Sequence, residues 1–408
     1  MTEQCSEVAR EVEEWLLGLA AASSPRGEGA LELARALDHA LDHPHRAAPG
    51  VHIVGTAGKG TLAALLTHHL VASGLSVATH QSPHVFDVRE RFLLDGALPA
   101  DEPLAAAFVR VRDAVAEVRS ARGRAPTFFA VTAALSWELG RRAGVDAFIT
   151  EAGIGGRLDA TAVLDRPDTI TAVTHIGLDH TDVLGSTVRE IAREKAAVFA
   201  GRHVAVLGPQ SSPEAVEVVR AVARQAGVGL REVHGGEHWR ADALLTGRVV
   251  AEEFARLTGR SLAPPSESIM PPGRSQEHHI GGRVVVLDGA HNALKLDALA
   301  AGLGDARPAV ALVAIGAGKD LEGCAAALAA LACPVVATEF IDSAGPRSHP
   351  ASALADALAA AGADVVARPR LHDAATSADE LAGVGGRILV TGSFLVLAPA
   401  IGALRAIA

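Results

Sequence analysis

Short apolar runs alternate along the chain with longer stretches of helical period. The runs 51–54, 76–79, 147–150, 169–173 and 203–207 read as buried strands. The stretches 61–73, 104–119, 128–142, 188–199 and 213–226 read as helices, with Gly74 placed to cap the first of them. Strands that alternate with helices predict a parallel α/β sheet. The stretch 261–276 (SLAPPSESIMPPGRSQ) holds four prolines and four serines and no apolar period. It reads as a linker. A second alternation follows, with strand-like runs at 284–287, 309–315, 334–338, 364–367 and 387–391. The chain is therefore cut near residue 270, and no fixed-period repeat is visible.

Composition narrows the classes. The chain has 408 residues, enough for two or three domains of about 150 residues each. Acids outnumber bases 47 to 37, for a formal net charge of −10. A general nucleic-acid binder is normally basic, so that class is disfavoured. Three cysteines, Cys5, Cys324 and Cys333, argue against a disulfide framework and fit a reducing cytoplasm. No charge-free run is long enough for a membrane span. The N-terminus is acidic and amphipathic, unlike a signal peptide. Tyrosine is absent, which excludes Tyr-based catalysis.

The strongest chemical pattern is VHIVGTAGKGT, residues 51–61. A strand runs into a glycine-rich turn that opens a helix. Such a turn lets backbone N–H groups approach phosphate oxygens, and the helix N-terminus adds partial positive charge. Lys59 can neutralise β/γ-phosphate charge, and Thr61 can place a hydroxyl on Mg²⁺. The spacing differs from the common G-x-x-x-x-G-K-[ST]. In FITEAGIGGRLDAT, 148–161, a strand delivers Glu151 at its C-terminal end, where open α/β sheets bind ligands. A carboxylate there suits Mg²⁺. Arg157 can stabilise phosphate charge, and Asp159 can order Arg157. In THIGLDHTDVLG, 174–185, His180 stands among aspartates after another strand and is a candidate metal ligand or phosphate contact. The triplet Arg193-Glu-Lys195 by itself reads as an exposed charged face. In RVVVLDGAHN, 283–292, a strand ends in Asp288, with His291 and Asn292 in the following turn. Asn292 can equally serve as a helix cap. Arg274 can reach the same cleft from the linker.

Taken in order, these segments resemble the folylpolyglutamate synthase/dihydrofolate synthase family of the Mur ligase superfamily. The residues that carry the resemblance are Gly55–Thr61, Ser82-Pro83-His84, Arg89-Glu-Arg91, Glu151–Thr161, 177–181, Arg193-Glu-Lys195, 272–274, Asp288–Asn292 and 392–394. The resemblance implies a P-loop ATPase domain over 1–265, a linker at 266–275 and a Rossmann-like C-terminal domain over 276–408. It implies an ATP- and Mg²⁺-dependent ligase that couples a small-molecule carboxylate to an amino acid, glutamate foremost, through an acyl phosphate. It also implies a cytoplasmic monomer without nucleic-acid or membrane partners. Carried over by residue, Gly55, Thr56, Gly58, Lys59, Gly60, Thr61, Arg274, Asp288, His291 and Asn292 would bind the nucleotide. Thr61, Glu151, His180 and Lys195 would serve the metal, with Lys195 carbamylated. Lys59, His180, Lys195 and Arg274 would act in catalysis. Ser82, Pro83, His84, Arg91, Arg157 and Asp159 would face the substrate. The chain departs from the family at Ala57 (usually Asn), at Ala130 (often Glu) and at Asp242, which replaces an Asn. The stretch between 226 and 238 is also shorter than in relatives. A non-folate acid, or a homologue that binds ATP without turnover, are the alternatives.

Overall fold

A computed structural model of the chain describes residues 6–21, 27–235, 239–263, 271–304, 306–340 and 347–408. The chain divides into two compact units, Met1–Ile269 and Met270–Ala408. Residues 266–270 of the expected linker, and 236–238 of the shortened stretch, lie outside the described residues.

The first unit is built on seven strands. They are β1 Gly50–Val54, β2 Val77–His80, β3 Phe92–Leu94, β4 Ala147–Glu151, β5 Thr169–Val173, β6 Val204–Leu207 and β7 Gly229–Glu232. Their order is β3-β2-β4-β1-β5-β6-β7, and only β3 runs antiparallel. Strands β1, β4 and β5 are buried at every position, because helices cover both faces of the sheet. On one face Leu62, Leu66 and Leu70 pack with Val250 and Phe254 of the helix Trp239–Thr258. On the other, Ala78 and Phe148 join a core containing Val131 and Leu135 of the helix Phe128–Ala143.

The second unit holds β8 Gln276–Ile280, β9 Arg283–Leu287, β10 Val310–Val313, β11 Val335–Ala337, β12 Val365–Ala367 and β13 Arg387–Thr391, in the order β12-β11-β10-β13-β9-β8. Strand β8 pairs antiparallel with β9, and the other pairings are parallel. The sequence pattern does not announce β8, whose residues are Gln-Glu-His-His-Ile. Its partner β9 supplies the ladder that an apolar pattern normally signals.

Register places the site. In the first sheet Ile53 pairs with Glu151, and Val54 pairs with Val173. The turns that follow β1, β4 and β5 therefore emerge side by side at the C-terminal edge of the central strands, the ligand edge of an open α/β sheet.

Candidate active site

The turn after β1 is held from beneath. Thr56 and Ala57 donate their backbone N–H groups to the carbonyl of His175, at 2.8 and 3.2 Å. The Thr56 hydroxyl donates to the Gly177 carbonyl at 3.0 Å. Gly55 has φ +151°, and a Cβ there would lie 1.9 Å from Thr174 Oγ1. Only glycine lets the two turns pack this closely. Gly58 precedes the helix Lys59–Ala72, and no side chain caps that helix. Its first-turn N–H groups are thus offered to an anion. Gly60 and Thr61 lie buried in the same first turn.

Two lysines converge on one atom. The Gly55 carbonyl accepts from Lys59 Nζ at 3.2 Å and from Lys195 Nζ at 2.8 Å. Lys195 is buried, on the helix Val188–Ala196. This overturns the reading of Lys195 as part of an exposed charged face: the i, i+4 spacing fits a surface helix, but tertiary packing covers this side. It also bears on Lys195 as a metal ligand. An ammonium that donates to a carbonyl cannot coordinate a cation, so that role requires conversion of the amine to a carbamate.

Glu151 ends β4 and is buried. Its Oε1 lies 3.9 Å from Lys59 Nζ, and its Oε2 accepts from Ser82 N at 3.0 Å. The carboxylate thus ties the phosphate turn to the Ser82-Pro83 segment, whose peptide bond is cis. His180 adopts φ +51°, precedes the short helix Thr181–Leu184, and has Nε2 3.9 Å from Asp179 Oδ1. Among the described residues, no three His, Cys, Asp or Glu side chains are grouped to hold a metal ion.

The substrate-side residues separate. Arg91 Nε donates to His84 Nδ1 at 2.7 Å, and its guanidinium lies 4.9 Å from the Phe128 ring centroid. Burial lowers the Arg91 pKa to about 10, against the attraction of Glu151, Glu13 and Glu90. Asp159 does not order Arg157. It accepts from the backbone of Gly153, Ile154 and Thr161 and from the Thr161 hydroxyl, so it builds the turn after β4. Burial pushes its carboxyl pKa up, and these hydrogen bonds oppose the shift. Arg157 is half exposed and pairs with Glu194 at 3.0 Å.

In the second unit Asp288 ends the run of β9. It accepts from Ser275 N, Ser275 Oγ and Ala290 N at 2.8, 3.1 and 2.9 Å, and burial raises its pKa. His291 Nδ1 bonds the Gly289 carbonyl at 2.7 Å, and Lys295 Nζ reaches His291 Nε2 at 2.9 Å. The ring is thus a neutral imidazole with its proton on Nδ1. Arg274 lies over Phe394, 5.1 Å from the ring centroid. The Asn292 Oδ1 caps the helix Ala293–Leu303 through Lys295 N, so its oxygen is committed to the fold. Lys295 and Glu13 carry no motif signal, because no motif records the contact of Lys295 with His291 or that of Glu13 with His84.

Known proteins resemble the chain in parts. Residues 273–394 match the family described as Mur ligase, glutamate ligase domain. That match lies in the second unit, after the unit that carries the phosphate turn. The chain is similar to folylpolyglutamate synthases and dihydrofolate synthases. It is 36% identical over 284 residues to a probable bifunctional folylpolyglutamate synthase/dihydropteroate synthase of Halobacterium salinarum, covering 62% of this chain and 34% of that one. It is 36% identical over 180 residues to the dihydrofolate synthase/folylpolyglutamate synthase of Escherichia coli, covering 44% and 40%. The matched stretch thus spans well under two thirds of the curated relatives' length. Solved structures match over far more. Folylpolyglutamate synthase of Mycobacterium tuberculosis complexed with ADP superposes with a TM-score of 0.80 at 25% identity, over 97% of this chain and 98% of that one. The Yersinia pestis bifunctional enzyme complexed with AMPPNP and Mn ion gives 0.78 at 25%, over 99% and 100%.

Proposed function

We propose that this chain is an ATP-dependent ligase that joins a carboxylic acid to an amino acid, with a folate-type acid and glutamate as substrates. The observation that carries the reading is the convergence of Lys59, Lys195 and Glu151 on the turn after β1, beside an uncapped helix N-terminus. That constellation suits a triphosphate. Relatives complexed with ADP, AMPPNP and Mn ion support ATP and a divalent cation as the ligands.

The donor set fits Mg²⁺ as it usually binds, through one or two carboxylates, waters and substrate phosphates rather than an all-protein cage. One buried carboxylate, Glu151, and one first-turn hydroxyl, Thr61, match that description, with His180 as a further contact. When bound, the ion neutralises phosphate charge. The turn amides and Lys59 orient the triphosphate and stabilise charge on the transferred group. The acid's carboxylate oxygen attacks the γ-phosphorus, the bond to the β-phosphate oxygen breaks, and ADP leaves. The amine nitrogen then attacks the acyl carbon, phosphate leaves, and the ammonium proton passes to solvent. Within the second unit, Arg274, Asp288 and His291 are the candidate nucleotide contacts. Glu151 holds Ser82, and so positions the segment through His84 that would face the acid.

No helix among the described residues is long and apolar enough to cross a membrane. A cytoplasmic monomer remains part of the same proposal. The test offers ATP, Mg²⁺, dihydropteroate or a reduced folate, and L-glutamate, with phosphate release and product mass as readouts. Gain of one glutamyl residue per phosphate is expected. ATP binding with no product from either acid would overturn the folate assignment.

A further inference from the structure

A buried guanidinium is held at one end and open at the other. Arg91 is 9% exposed. Its Nε is fixed by His84 Nδ1, and its plane lies over Phe128. Because Nδ1 accepts from Arg91, the His84 proton must sit on Nε2. That nitrogen lies 3.4 Å from Glu13 Oε1, on the helix Glu7–Ala21. The loop carrying His84 is braced separately. Glu90 accepts from the backbone of Val85, Phe86 and Asp87 at 2.7, 3.0 and 3.1 Å. The terminal Nη1 and Nη2 groups of Arg91 have no hydrogen-bond acceptor among the described residues. A buried fork with four unpaired N–H donors is matched by a carboxylate, which can accept two parallel bonds.

We propose that Arg91 receives a substrate carboxylate, and that Glu13 and His84 are positioning residues that aim its guanidinium. The proposal rests on the ligase reading above and adds a residue, Glu13, from an element outside the sequence motifs. Glu13 orients His84, His84 fixes Nε, and the fork therefore needs no reorganisation when the carboxylate arrives. The carboxylate belongs either to the acid that is activated or to the incoming amino acid, and both present the same chemistry.

The experiment compares wild type with Glu13→Gln, His84→Asn and Arg91→Lys. Asn keeps an acceptor near the Nδ1 position and loses the reach to Glu13. KM is measured separately for acid, glutamate and ATP, and affinity for acid and for glutamate is measured by calorimetry. Arg91→Lys should weaken one of the two carboxylate substrates by roughly tenfold or more, because Lys keeps the charge but loses the planar fork that makes two parallel bonds. That substrate identifies which carboxylate is held. Glu13→Gln and His84→Asn should weaken the same substrate by a smaller factor, with KM for ATP unchanged. Adding Glu13→Gln to Arg91→Lys should have no further effect, since Glu13 acts only through the fork. Unchanged affinity for both carboxylates, or equal losses for ATP, would overturn the proposal. Wild type that binds a carboxylate ligand without turnover would overturn the ligase reading and leave this one standing. Binding of neither would overturn both.

Discussion

Lys59 and Lys195 bring two ammonium groups to a single carbonyl, that of Gly55. Lys59 also lies 3.9 Å from Glu151 Oε1, so the turn carries one carboxylate beside two ammonium groups. Lys59→Ala removes one of those ammonium groups from a partly exposed side chain and spares the core. Phosphate release should fall by about 10²–10³, the loss typical of one preorganised charge contact, while the melting temperature stays near that of the parent. Wild-type turnover would remove the turn from the active site. Glu151→Gln tests the neighbouring carboxylate. The amide oxygen still accepts from Ser82 N, so the segment keeps its place and only the charge is lost. The Mg²⁺ concentration for half-maximal rate should rise by about tenfold, a loss that even outer partners of metal sites cause. A Mg²⁺ titration that matches the parent's would make Glu151 a structural residue.

At the scale of elements, the turn after β4 and the helix Val188–Ala196 depend on each other. Gly156 packs against that helix's backbone, and a Cβ there would lie 2.8 Å from the Lys195 carbonyl and 2.9 Å from the Glu194 carbonyl. Neither carbonyl can yield, because both belong to a regular helix. Gly156→Ala should therefore separate turn from helix, at a cost of about 1–3 kcal/mol in stability. It should also pull Lys195 off the Gly55 carbonyl. Denaturant titration and ATP affinity together check this, and loss of stability with unchanged ATP affinity would show that the turn and the phosphate site are independent. Asp159 locks the same turn from within. The expected Arg157–Asp159 pair was a reasonable inference from spacing. It fails because four nearby donors, three of them backbone, compete for the carboxylate and burial denies it to the guanidinium.

For the whole molecule, two buried imidazoles set the acid limit. Burial drives His52 and His80 well below the ordinary value of 6.5, His80 to about 3, and Arg202 and Arg91 push them the same way. The unfolded chain binds a proton at each site below about 6.5 and the folded chain does not. Stability therefore falls as pH drops below that value, by about 1.4 kcal/mol per pH unit for each histidine. For His80 the loss continues until its folded value is reached. His80→Gln keeps a donor toward Thr132 Oγ1, which His80 Nε2 contacts at 3.2 Å, and removes the titration. Denaturant midpoints at pH 7, 6 and 5 should fall less steeply in the variant. Equal slopes would overturn the assignment.

The sequence by itself determined the β/α alternation, the phosphate turn and the acidic end of β4. These are local: glycine placement, apolar runs and strand ends are written in consecutive residues. It also determined the resemblance, since the motifs keep their order along the chain. Strand β8 was beyond it, because Gln-Glu-His-His-Ile carries no apolar alternation and gains its hydrogen bonds from β9. The burial of Lys195 and the contact of Glu13 with His84 were beyond it too. Each depends on which groups meet across long sequence separations: Lys195 meets the Gly55 carbonyl, and Glu13 meets His84. Tertiary packing alone settles that, by deciding which polar groups lose water and must find a partner.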